Sequence, residues 1–241
     1  MGIGYAVSPP HRIAVIDAAA IPREADAALL FPIPPGSRAL PWNEIAKHLR
    51  SPTVAAITQW RAGLSAKYRS QLHEPLCWDE DSVFEESEDV PTRADMLLRH
   101  AGALVDRLGA VAAAAALRGR EDIPRAEIET EAAAAERRGF VGAFPQLLLG
   151  AAFWFPFRRD LIIEEPDWSG NLRRFGSAAH LVRELEVLRD FIGRADAAAT
   201  AWGRDRDDPP TVLGQAWQGS ETIYRLVATA TRRRLPLWTT G

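Results

Sequence analysis

Residues 92–117 read TRADMLLRHAGALVDRLGAVAAAAAL, the stretch with the strongest structural pattern in the chain. Thr92 and Asp95 form a capping pair at its start, and Gly119 is expected to end the element. The pattern predicts an amphipathic helix over residues 93–117, because one buried face of a helix repeats every three or four positions. The apolar residues with this spacing are Leu97, Ala101, Leu104, Leu108, Val111 and Ala115.

Other segments open with recognisable helix caps. Ser51 as N-cap and Pro52 at the first helical position predict a helix that buries Trp60 and Leu64. Ser177 is the expected N-cap of a helix whose apolar stripe extends to Ile192, with Glu184 on its solvent side. Three further helices are expected: one from Pro41, one over residues 124–138 and one over residues 220–234.

Short apolar runs next to prolines or acidic residues predict strands. They lie at residues 12–17, 28–33, 160–163 and 235–238, the last as an edge strand. We therefore expect an α+β fold, or a mixed α/β fold, dominated by helices and with a small sheet of about four strands.

Length and composition predict one globular domain over residues 1–241. The chain of 241 residues is 47% hydrophobic, which is enough to bury a core without disulfides or a structural metal. A Gly/Ser-rich linker between two independently folding halves is not recognisable. The acidic residues 79–91 mark the most plausible seam.

Charge and cysteine content restrict the partners that we expect. Cys77 is the one cysteine, which excludes an internal disulfide framework and favours a reducing, cytoplasmic location. The net charge of −3 gives no field that would attract nucleic acid or an anionic membrane. The most apolar stretch, residues 140–157, contains two glycines and two prolines and predicts a core segment instead of a membrane span.

The densest charge cluster lies in residues 79–89. Phe84 is a candidate aromatic anchor at its centre. The cluster is interpreted either as an acidic docking surface for a basic partner or as a solvated loop that only aids solubility. Its seven carboxylates are Asp79, Glu80, Asp81, Glu85, Glu86, Glu88 and Asp89.

A second group of carboxylates lies at the ends of predicted strands. Asp17 ends the strand over residues 12–17, and Glu164, Glu165 and Asp167 follow the strand over residues 160–163. Such positions can supply an acid/base pair or ligands for a divalent cation. Acidic residues at strand ends also serve solvation and turn formation, so the pattern alone does not establish catalysis.

Two arginine doublets flank the same predicted strand. They are Arg158 with Arg159, and Arg173 with Arg174. Guanidinium groups at this spacing can bind an anionic ligand or pair with carboxylates of the protein itself. Intramolecular pairing is the interpretation that we favour from the sequence.

The remaining motifs are weak. His73 and Cys77 have soft metal-binding groups, but Pro75 lies between them and no second ligand pair follows a zinc-site spacing. Ser177 and Ser220 follow glycines without forming a nucleophile elbow, and both are interpreted as helix N-caps. The sequence has no dinucleotide or phosphate-loop motif, so no cofactor is expected.

These observations favour a non-enzymatic, cytosolic protein that binds a protein partner, of the bacterial antitoxin or immunity type. The bacterial origin is an interpretation of coding bias, since only Lys47 and Lys67 among the 29 basic residues are lysines. The alternative is a metal- or carboxylate-dependent enzyme, or a small-molecule binder, with its site at the strand ends. Whether the protein has catalytic activity stays open.

Overall fold

The computed structural model describes residues 2–10, 53–138, 142–148, 153–168, 170–201 and 211–240. Its helices pack on a mixed sheet, so the expected helix-dominated α+β fold is confirmed. The α-helices are α1 (Val54–Lys67), α2 (Arg69–Leu72), α3 (Thr92–Leu108), α4 (Ala110–Leu117), α5 (Arg125–Arg137), α6 (Pro145–Leu148), α7 (Ala178–Ala195) and α8 (Val212–Arg233).

The sheet has six strands in the order β2-β1-β6-β3-β5-β4 within the described residues, and the expected number of about four was too low. Among the described strands, β3 and β5 run parallel and each of the other neighbouring pairs is antiparallel. The strands are β1 (Gly2–Val7), β2 (Glu86–Pro91), β3 (Phe153–Phe155), β4 (Ile163–Pro166), β5 (Leu172–Ser177) and β6 (Leu237–Thr240).

The strand predictions differ from the structure in identifiable ways. The segment predicted over residues 160–163 begins only at Ile163, as β4. The predicted edge strand over residues 235–238 is β6, which lies inside the sheet between β1 and β3. The patterns of β1 and β2 were missed, since tertiary pairing outweighs the low strand propensity of their glycines and carboxylates. The predictions for residues 12–17, 28–33, 41–49, Ser51 and Pro52 lie outside the described residues.

The long helix predicted over residues 93–117 is two helices. α3 ends and α4 begins at Gly109, which has φ 77° and ψ 162°. This conformation is open almost only to glycine. The buried face predicted beyond the break is wrong, since Leu108, Val111 and Ala115 are exposed, whereas Ala113 and Leu117 are buried. Pro91, without a side-chain hydrogen bond, stands at the N-terminus of α3, and Asp95 is buried instead of capping.

The other helix ends test the predicted caps. Ser177 accepts a hydrogen bond from His180 N and caps α7, as expected. The helix over residues 124–138 is confirmed as α5. Ser220 is not an N-cap but lies inside α8, which begins a full eight residues earlier, after its N-cap Thr211. The N-cap of α1 is Thr53.

The sheet separates two hydrophobic cores. On one face, α3, α7 and α8 bury the larger core against Tyr5, Val7 and Trp154. On the other face, α1 and the following loop bury a smaller core that is rich in aromatic rings. The rings of Trp78 and Phe155 stack there with centroids 4.9 Å apart. Both faces of the sheet are therefore covered, and no described helix is long and apolar enough to cross a membrane.

Candidate functional site

The acidic segment 79–89 is extended over most of its length. From Asp81 to Asp89, every second residue is exposed, and the residues between them are partly buried. The last part of the segment forms β2, which pairs with β1 on one side and stands at the edge of the described sheet. The carboxylates from Glu86 onward therefore project from a strand instead of a loop.

The inward residues of this segment are held by arginines of α8. The guanidinium of Arg233 lies 4.6 Å from the ring centre of Phe84. Arg225 forms ion pairs with both Glu86 and Glu88. These contacts fix the segment on α8, and Phe84 packs against the larger core instead of projecting as an anchor.

Glu80 is also engaged within the molecule. Its carboxylate lies 3.4 Å from Arg61, which in turn stacks on Trp78 with its guanidinium carbon 4.7 Å from the ring centre. Three of the seven carboxylates, Glu80, Glu86 and Glu88, are thus paired with arginines. Their negative charge is largely balanced before any partner approaches.

The remaining four carboxylates form what we call the acidic stripe. Asp79, Asp81, Glu85 and Asp89 are exposed, and none has an ion-pair partner among the described residues. Val83, 80% exposed, lies in the middle of the stripe as an apolar contact point.

The strand-end carboxylates do not converge in the described residues. Glu164 accepts a hydrogen bond from Arg174 Nε at 2.9 Å, and Asp167 accepts one from Asn171 N at 3.0 Å. Glu165 pairs with Lys67 and with the hydroxyl of Tyr68. Each carboxylate therefore belongs to a different local network, and Asp17 lies outside the described residues.

Hydrogen bonding at Glu165 shifts two pKa values. Donation from Lys67 and Tyr68 holds the pKa of the Glu165 carboxyl below its ordinary value. The same contact with Glu165 raises the pKa of Tyr68 to about 12. Glu165 is therefore ionised and Tyr68 is neutral at neutral pH. A general base works best with a pKa near the operating pH, whereas the pKa of Glu165 is moved away from neutrality.

His73 and Cys77 lie apart from any metal-binding cluster. His73 ends α2 in the left-handed conformation, with φ 58°, and Cys77 is exposed. Among the described residues, no group of three or more His, Cys, Asp or Glu side chains is placed to hold a metal ion.

The structure reveals a buried polar network that the sequence pattern hid. Glu184, expected on the solvent side of α7, is buried and accepts hydrogen bonds from the backbone N of Gln146 and Leu147, each at 2.9 Å. Burial raises the pKa of this carboxyl to about 8, against the lowering effect of the two backbone donors. The available sequence signal was its spacing, three residues after Leu181 and four before Leu188, which places Glu184 on the apolar face of α7.

A second buried network joins β1 to α3. The Tyr5 hydroxyl donates to Asp95 Oδ1 at 2.6 Å, and Arg99 Nε donates to Asp95 Oδ2 at 2.8 Å. Burial raises the pKa of Tyr5 well above its ordinary value. The spacing of Asp95 and Arg99 by one helical turn was the available sequence signal. The network is satisfied internally and leaves no group open to a ligand.

Comparison with known proteins adds no relationship: no family model matches the chain, and neither the curated proteins nor the solved structures contain a significant match. The fold and the arrangement of side chains therefore carry the functional argument alone.

Proposed function

We propose that the protein is a cytosolic binding protein that recognises a basic surface of a protein partner through the acidic stripe. The observation that carries this proposal is the exposure of Asp79, Asp81, Glu85 and Asp89 without compensating cations in the described residues. Uncompensated charge on one surface steers an oppositely charged partner and fixes its orientation.

The geometry of the stripe supports a preformed docking surface. Because α8 holds the inward residues Phe84, Glu86 and Glu88, the outward residues project from a backbone that is already ordered. The segment then loses less conformational freedom on binding than a flexible loop would. Val83 supplies apolar area that a partner can bury between the charges.

The biological setting is part of the proposal. A bacterial protein of the antitoxin or immunity type acts by covering the surface of its target, so it needs charge complementarity and no catalytic groups. The alternative, an enzyme at the strand ends, has less support, since Glu164, Glu165 and Asp167 are committed to separate partners.

The test is affinity capture from a lysate of the source organism with three versions of the chain. The first is wild type, and the second neutralises the stripe with Asp79→Asn, Asp81→Asn, Glu85→Gln and Asp89→Asn. The third makes the same change in charge elsewhere, with Glu121→Gln, Glu129→Gln, Glu136→Gln and Asp190→Asn at exposed positions. Captured proteins are identified by mass spectrometry at low and at high salt.

A stoichiometric basic protein retained at low salt by wild type and by the third version, but not by the second, supports the proposal. Equal retention by all three versions places the docking surface elsewhere. A capture that is unaffected by salt contradicts the electrostatic mechanism.

A further inference from the structure

The two arginine doublets differ in the structure. Arg173 lies 3.4 Å from Asp167, and Arg174 forms ion pairs with Glu164 and Glu136. Arg158 and Arg159 are exposed, and neither guanidinium has a carboxylate partner among the described residues. Intramolecular pairing, the interpretation favoured from the sequence, therefore accounts for one doublet only.

The unpaired doublet lines a concave surface. A shallow, open cleft of about 330 Å³, which we call the arginine cleft, is lined by Leu72, His73, Glu74, Arg158 and Arg159. This volume is at the lower end of the range for small-molecule sites. Two guanidinium groups against the one carboxylate of Glu74 give the cleft a net positive charge.

The backbone that carries the two arginines is held on both sides. Glu74 Oε1 accepts a hydrogen bond from Arg158 N at 2.8 Å, and His180 Nε2 lies 2.9 Å from Arg158 O. One residue earlier, Phe157 O accepts from the Ser177 hydroxyl at 2.7 Å. The loop is thus ordered before a ligand binds. One carboxylate oxygen of Glu74 is already engaged in a hydrogen bond within the protein.

The arginine cleft follows the carboxyl end of β3, one of the two parallel strands. β3 ends at Phe155 and its parallel neighbour β5 ends at Ser177, beside the loop that carries Arg158. In open, mostly parallel sheets, ligands bind outside the carboxyl ends of the strands. Among the described strands β3 and β5 form the one parallel pair, and the cleft lies at the corresponding end of that pair. Both the position of the cleft in the fold and its positive charge therefore indicate a site for an anionic ligand.

We infer that the arginine cleft binds the oxyanion group of a small molecule, a carboxylate or a phosphate, through the guanidinium groups of Arg158 and Arg159. Planar guanidinium forks match the oxygen spacing of both groups. The inference does not depend on the acidic stripe or on the proposed partner.

The experiment is a titration with inorganic phosphate and, separately, with acetate, at constant ionic strength maintained with chloride. Binding is followed by the NMR shifts of the arginine Nε–H groups and of the backbone amides of residues 72–74. The variant Arg158→Gln with Arg159→Gln should bind at least about tenfold more weakly, since charge-assisted hydrogen bonds are lost. The control, Arg137→Gln with Arg183→Gln, removes the same charge at exposed positions on α5 and α7 and should bind like wild type.

Glu74→Gln gives a test that misfolding cannot imitate. Glutamine keeps the oxygen that accepts from Arg158 N but removes the negative charge facing the anion. We expect binding to become several times tighter. Saturable shifts with either probe support the inference and name its chemical class. Shifts that are absent with both probes, or that weaken equally in the Arg137/Arg183 control, overturn it.

Discussion

His100 lies on α3 with 3% of its surface exposed, and within the described structure neither ring nitrogen has a hydrogen-bond partner. Burial lowers the pKa of this histidine, although Glu127 and Glu131 favour the charged form. The folded protein therefore holds a neutral imidazole, while the unfolded chain takes up a proton below pH 6.5, the ordinary value. Stability from this group is complete above that pH and falls as the pH is lowered.

We predict that His100→Leu reduces the loss of stability between pH 7 and pH 5. The reason is that leucine fills the site without a group that must stay unprotonated, and the gain at pH 5 should be about 1 kcal/mol or more. Urea unfolding at several pH values measures it. The control is His73→Asn, which replaces an exposed histidine by a residue that tolerates the left-handed conformation. A pH profile that is the same for wild type and His100→Leu would refute the assignment.

Glu184 predicts a pH dependence of the opposite sign. Its pKa is about 8 in the folded protein against 4.5 as the ordinary value, so the folded state keeps a proton that the unfolded chain releases. The contribution is complete below pH 4.5 and is lost as the pH rises to about 8. Glu184→Gln should remove this pH dependence, so the change in the free energy of unfolding over this range should be smaller than in wild type by an amount on the order of a few kcal/mol.

The Glu184→Gln profile is interpreted as a difference from wild type, because His100 acts in the opposite direction over part of the range. Glutamine keeps one acceptor for Gln146 N or Leu147 N and loses the other, so a uniform destabilisation is expected in addition. A difference between the two proteins that does not vary from pH 5 to pH 8 would show that Glu184 stays ionised in the folded state.

At the scale of elements, Gly109 decides that α3 and α4 are two helices. Its φ of 77° lies where a side chain is strained, while a Cβ there would meet nothing within 4 Å. Gly109→Ala should therefore lower the free energy of unfolding by about 1–3 kcal/mol through backbone strain alone. Gly63→Ala is the matched control, since Gly63 lies inside α1 with open space around it and should gain up to about 1 kcal/mol. Chemical denaturation compares the two; equal effects would mean that a continuous helix is accessible.

The same element shows how much of the fold can be predicted from the sequence. The apolar repeat identified the buried face of α3 from Leu97 to Leu104, because periodicity reports which side of a helix meets the core. Its continuation was wrong, since Leu108, Val111 and Ala115 are exposed and α4 buries Ala113 and Leu117 instead. The repeat could not reveal the break at Gly109, since glycine is compatible with both a continuous helix and a sharp turn. Pro124 and Ser177 marked helix starts by local chemistry. Thr211 was overlooked because Ser220 was interpreted as the N-cap of the last helix, although α8 begins before it.

Strands and candidate sites were less predictable for a related reason. β2 consists of ESEDVP, and only pairing with β1 and ion pairs with Arg225 make it a strand. The acidic cluster could be located from composition, but the division between paired and exposed carboxylates depends on α8, which is distant in sequence. The burial of Glu184 likewise depends on contact with α6.

At the scale of the whole molecule, the sheet is shared by both cores. Along β3, Trp154 points into the larger core, and Phe153 and Phe155 point into the smaller one. Along β1, Val7 and Ala6 divide in the same way. Unfolding of one core would expose the apolar side chains that the shared strands direct into it, so we expect neither core to unfold alone.

We therefore predict that the chain unfolds as one cooperative unit, as expected for one domain over residues 1–241. Phe155→Ala in the smaller core should cost roughly 3–5 kcal/mol, and Leu226→Ala in the larger core roughly 2–5 kcal/mol, because both side chains are fully buried. Tryptophan fluorescence is weighted towards the smaller core, since four of the six tryptophans in the described residues lie there (Trp60, Trp78, Trp168 and Trp238) and two lie in the larger core (Trp154 and Trp217). Far-UV circular dichroism reports mainly the helices of the larger core. Each substitution should shift both transitions by the same amount. If Phe155→Ala moved the fluorescence transition and left the helical signal in place, the two faces of the sheet would be separate folding units, and a seam near residues 79–91 would become the better description.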